Sequence, residues 1–108
     1  MNALKVLDDN FKAINHSFLY YLHEENYYDE PAFSELCGCL SLLCHTHSCK
    51  KELSSQIIFI YGEVLKHIIY HFDPNDLSSI SNLPHDYNEK LEALEQLVRE
   101  YFSKQSGT

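Results

Sequence analysis

The chain has 108 residues, with 16 Asp and Glu against 8 Lys and Arg, a formal charge of -8, and 44% hydrophobic residues. That length suits one domain around one modest core, and the hydrophobic share argues against wholesale disorder. The negative balance is repelled by phosphate backbones and anionic lipid, which disfavours direct nucleic-acid or membrane-surface binding. It attracts a basic partner and speeds its association at low salt, and it serves solubility equally well.

Residues 1–7 do not read as a signal peptide, because Lys5 and Asp8 interrupt the apolar run and no small-residue cleavage site follows. The longest apolar stretch, 57–72, carries Gly62, Glu63, Lys66, His67 and His71, so it reads as a core helix rather than a membrane span. The cytoplasm is the expected compartment. The four cysteines, Cys37, Cys39, Cys44 and Cys49, crowd one short stretch instead of spreading along the chain as bridges do, and are expected to be reduced thiols.

Three Gly and three Pro are too few for an all-β chain, and the apolar residues recur at helical spacing. The expected fold is all-α, an up-and-down bundle or compact array of four main helices. The first is predicted over residues 2–24, with Leu4, Leu7, Phe11, Ile14, Phe18 and Tyr21 as its stripe. A polar and aromatic loop follows over 25–30. The second helix opens at Pro31, with Asp29 or Glu30 near its cap, and buries Phe33, Leu36, Cys37, Leu40, Leu43 and Cys44. The third starts near 48–51 and runs to about Phe72. Two adjacent ridges, Leu53-Ile57-Ile60-Val64-Ile68 and Ile58-Tyr61-Leu65-Ile69-Phe72, predict a wide buried face and a central position. Leu77, Ile80 and Leu83 fit a short helix or a packed loop. Asp86 with Glu89 resembles a capping box for a fourth helix carrying Tyr87, Leu91, Leu94, Val98 and Tyr101. Residues 1–102 form the expected domain and 103–108 a flexible tail. Wide apolar faces on so small a chain also leave room for a homodimer.

Cys and His are zinc ligands, and Cys44, His45, His47 and Cys49 could converge where the second helix ends. Their spacing matches no common zinc pattern, however, and Cys37 and Cys44 fall on the apolar stripe, where thiols act as small hydrophobes. No metal or other cofactor is expected; a Cys/His metal-binding regulator is the alternative. His67 and His71 share a helix face but lack the Glu of a hydrolase H-E-x-x-H pair. No nucleophile motif and no Gly-rich phosphate loop occurs, so no catalytic residues are expected.

The densest binding candidate lies at the first helix end. Tyr20, Tyr21, Tyr27 and Tyr28 interleave there with Glu24, Glu25, Asp29 and Glu30, beside His23. Tyrosine supplies rigid amphipathic contact area, and surrounding carboxylates meet Lys or Arg on a partner. An ordinary loop with Tyr21 in the core is the plain alternative.

The stretch 29–40 resembles a helix-start pattern of immunity proteins from bacterial polymorphic toxin and contact-dependent inhibition systems, of the MafI and CdiI types. An acidic residue opens the helix, a small residue follows, and Leu-Cys or Leu-x-x-x-Leu comes next; here these are Glu30, Ala32, Leu36, Cys37 and Leu40. The pattern covers about a tenth of the chain. The resemblance implies a small inhibitor that protects its producer by binding a toxin domain, often a nuclease. An acidic, tyrosine-bearing surface could occlude a nuclease's basic groove without catalysis. The expected contact residues are Glu24, Glu25, Tyr27, Tyr28, Asp29 and Glu30. A phage-type inhibitor of a host nuclease, anti-CRISPR or anti-restriction, would use the same physics.

Overall fold

A computed structural model describes residues 1–46, 51–75 and 79–106, with side chains to Lys104. Every regular element among them is helical: α1 Ala3–Lys12, the short α2 Phe18–Tyr20 continuing as a π-helical turn Tyr21–Glu25, α3 Glu30–Thr46, α4 Lys51–His71 and α5 Tyr87–Ser106. The all-α reading with four main helices holds.

The predicted first helix does not run unbroken to Glu24. It stops at Lys12, where Ala13 turns left-handed (φ 55°) and its N–H bonds back to Asn10 and Asp9 while the Ile14 N–H reaches the Asp9 carbonyl. This closure usually takes Gly or Asn. Asn15 and His16 also hold positive φ, so three of four consecutive residues are left-handed. Side chains hold the break together. Asn10, almost wholly buried, donates to the Val6 carbonyl and accepts from the Leu19 N–H. Ser17 donates to the Asp9 carbonyl and caps α2 by accepting from the Tyr20 N–H. The break re-aims the stripe: Leu7, Phe18, Leu19 and Leu22 are buried, whereas Leu4, Phe11 and Ile14 are exposed. Because Cβ crowding at φ 55° costs an L-residue about 1 kcal/mol or more, Ala13→Gly is expected to raise stability by about 0.5–1 kcal/mol net of its unfolded-state entropy. Thermal unfolding reads this directly, and a lowered midpoint would refute it.

α3 is the helix most enclosed by others. It packs against α1 on one side and α5 on the other, and buries Ala32, Phe33, Leu36, Cys39, Leu40, Leu43 and Cys44. Its cap is Asp29, whose carboxylate accepts from the Ala32 N–H at 3.0 Å. α4 also packs against α1 and α5, so α3 and α4, consecutive in the chain, lie across the core from each other. The expectation that α4 is central is corrected accordingly. Its first ridge is buried at Leu53, Ile57, Ile60 and Val64, but on its second ridge Ile58, Ile69 and Phe72 are exposed. Among the described residues, α1 and α5 flank it and leave that outer edge exposed.

The segment around Leu83 takes the packed-loop form. Residues 79–86 are turns and extended chain with Ile80 buried, while Leu77 lies outside the described residues. α5 continues to Ser106, past the expected start of a tail, because Tyr101 is fully buried and Phe102 packs on the core.

Candidate functional site

The corner after α2 is built by a helix ending and a clasp. The π-helical turn closes where Asn26 adopts a left-handed conformation (φ 48°), with its N–H and that of Tyr27 both reaching the Tyr21 carbonyl. Asparagine tolerates that backbone region well. Residues 26–29, outside any helix, then lead to α3 and are held from outside by the loop before α5. The Ser81 N–H donates to the Asn26 carbonyl at 2.8 Å, and the Asn82 side-chain amide accepts from the Tyr28 N–H at 2.7 Å and donates to the Tyr28 carbonyl at 2.8 Å. Asn82 thus imitates a neighbouring strand for one residue.

Of the six expected contact residues, three face outward: Glu24, Glu25 and Tyr27 are exposed. Asp29 is half-buried and occupied as the α3 cap. Glu30 is exposed but pairs with Lys90 of α5 at 3.2 Å. Tyr28 is a correction: it is buried, with its ring against Phe18 (5.5 Å) and Phe33 (5.6 Å). Its backbone is clasped by Asn82 and its ring joins Phe18 and Phe33 in the core, while Tyr27 stays exposed.

The structure adds partners that spacing did not reveal. His16 lies edge-on to Tyr20 at 5.1 Å and 5.9 Å from Tyr21; Tyr20 and Tyr21 are 5.5 Å apart, and Tyr21 is 5.9 Å from Tyr27. Four rings therefore form one half-exposed to exposed aromatic surface. His16 joins it only because the break at Ala13 turns the chain back, which no helical periodicity encodes. Partial desolvation, followed by the Asp29 and Glu25 carboxylates, raises the Tyr21 phenol above its ordinary range. It stays a neutral hydrogen-bond donor in an acidic field.

His23, next to this corner in sequence, turns the other way. Its Nε2 is 3.4 Å from Glu63 of α4, and its ring meets His67 edge-on at 4.5 Å. His67 Nδ1 is buried without a hydrogen-bond partner, and burial, then the neighbouring His23, lowers its pKa despite Glu63. His71 faces the loop, and its Nδ1 accepts from the Ile80 N–H at 2.8 Å.

The cysteine cluster is not assembled as a metal centre among the described residues, where no group of three His, Cys, Asp or Glu could hold an ion. Cys44 is buried, and His45 is exposed with Nδ1 3.3 Å from the Lys104 ammonium. His47 and Cys49 lie outside the described residues. Cys37, Cys39 and Cys44 are free thiols; burial pushes Cys37 up to about 11 and Cys39 up to about 12, the state of inert core cysteines. Cys39 Sγ donates to the Ala3 carbonyl, tying α3 to α1.

No family model, curated protein or solved structure matches this chain. The likeness to immunity proteins stays with the residues that carry it. Ala32, Leu36 and Leu40 are buried and Cys37 half-buried, so that pattern describes how α3 packs. No helix among the described residues is long and apolar enough to cross a membrane.

Proposed function

We propose that this chain is a non-catalytic binding protein that captures a basic protein surface on the corner formed by His16, Tyr20, Tyr21, Glu24, Glu25 and Tyr27. Its role is that of an immunity protein blocking a cognate toxin domain, with a nuclease as the toxin class whose phosphate-binding groove fits best. One observation carries the reading: four aromatic side chains in edge-on and tilted contact reach solvent at this turn, with Glu24, Glu25 and the Asp29 carboxylate nearby. Rings of this kind bury large area at low conformational cost, and the flanking carboxylates select Lys and Arg. The net charge of -8 adds long-range attraction for the same partner.

The test is co-expression with the toxin domain encoded beside this chain, followed by affinity measurement on the purified complex. The triple variant Glu24→Lys, Glu25→Lys, Tyr27→Ala is expected to lose at least about a hundredfold in affinity and most of the salt dependence of association, with its own thermal midpoint unchanged. A tight complex that ignores these changes would remove the corner from the interface. Absence of growth rescue against every neighbouring toxin domain would remove the function.

A further inference from the structure

We propose that His71 is an acid-operated latch: its neutral ring holds the loop at residues 80–82, and that loop in turn holds Asn26 to Tyr28 of the corner. The consequence for partner capture rests on the reading above; the latch itself does not.

A continuous set of hydrogen bonds makes the connection. The His71 ring Nδ1 accepts from the Ile80 N–H at 2.8 Å, and Ile80 is buried. The next residue, Ser81, donates its N–H to the Asn26 carbonyl, and Asn82 clasps both backbone groups of Tyr28. Three consecutive loop residues thus join the end of α4 to the segment that presents Tyr27.

The acceptor role fixes the protonation state. Nδ1 can receive a hydrogen bond only while it carries no proton, so the ring is neutral with its hydrogen on Nε2. Adding the second proton places an N–H against the Ile80 N–H. The bond is then lost, two donors face each other, and the Ile80 amide must find water or move.

The described residues lining the depression beside His71 include Phe72, Leu83, His85 and Tyr87, and none is acidic. The Phe72 ring stands edge-on at 4.8 Å. One turn earlier on α4 sits His67, itself beside His23, Glu63 and Lys66. Asp73, just past the helix, accepts from the Asn75 N–H in its own turn.

Amide hydrogen exchange on the full chain tests the latch without a partner. Wild type, His71→Gln and His71→Phe are compared at about pH 7.5 and about pH 5. Exchange is expressed as protection, so that the intrinsic pH dependence cancels. Acidification of wild type is expected to lower protection at Ile80, Ser81 and Tyr28 by about tenfold or more, as loss of one buried hydrogen bond implies, while amides in the middle of α3 change little. His71→Gln, whose side-chain oxygen can accept at either pH, is expected to keep protection at both. His71→Phe is expected to lack it at both. Unchanged wild-type protection on acidification would overturn the latch. So would an equal loss in His71→Gln, because that places the titration on another group. Partner affinity measured on the same samples separates the two readings: protection that falls while affinity holds leaves the latch intact and takes the corner out of the interface.

Discussion

Asn10→Ala is expected to destabilise the fold by about 2–4 kcal/mol, out of the roughly 5–15 kcal/mol that holds a small domain together. Asn10 is buried to 1% exposure inside the junction of α1 and α2. Its side-chain oxygen accepts from the Leu19 N–H at 3.1 Å, a first-turn donor of α2 with no partner inside that helix, and its side-chain nitrogen donates to the Val6 carbonyl at 3.0 Å. Leu19 has no exposure, so its N–H has no water to replace the lost acceptor. An orphaned buried donor costs about 1–3 kcal/mol, and the missing volume adds to that. Asn10→Asp keeps an oxygen for Leu19 but loses the donor to Val6 and buries a charge, so it too is expected to destabilise. Urea unfolding measures both variants. A cost below about 1 kcal/mol for Asn10→Ala would mean the break at residues 13–17 is held by something else.

Phe18→Ala is expected to cost about 3–5 kcal/mol, the range for a buried phenylalanine truncated to a methyl group. Phe18 is the anchor of a helix too short to be stable by itself. It is 2% exposed, with its ring edge-on to Phe33 at 5.2 Å and to Tyr28 at 5.5 Å. Removing it withdraws the support for α2 and for the inner side of the corner together. Phe59→Ala is the control. Phe59 stands on α4 edge-on to Phe11 at 5.1 Å, but the two are 46% and 37% exposed, and the expected cost is about 1 kcal/mol or less. Equal costs for the two substitutions would show that the exposed aromatic pair belongs to the core after all.

The corner was partly legible before any coordinates. Tyrosine and carboxylate interleaving drew attention to residues 20–30, and Glu24, Glu25 and Tyr27 do face outward. What patterning could not assign was the side to which each residue turns. Tyr28 goes inward because Phe18 and Phe33 receive its ring and Asn82, 54 residues away, clasps its backbone. His16 joins the ring cluster because Ala13 adopts a left-handed turn that Gly or Asn would have signalled and Ala does not. The histidine pair on α4 was visible as a shared face. Its members nevertheless do different things, since His67 meets the π-helical turn and His71 meets the loop before α5.

The sequence by itself determined the helical class, the main elements α3, α4 and α5, a cap at Asp29 or Glu30 and most of the apolar positions of α3. Each of these is a local property, set by 3.6-residue periodicity and by side chains that bond backbone within one turn. Only the tertiary structure decided where the first helix breaks, which ridge of α4 is covered and what holds the corner. Those outcomes depend on long-range partners. Asn10 reaches across the break, α1 and α5 leave the Ile58–Ile69 edge of α4 open, and His71, Ser81 and Asn82 bring a distant loop onto residues 26–28. Packing geometry between elements is a property of the pair, and neither element's own pattern contains it.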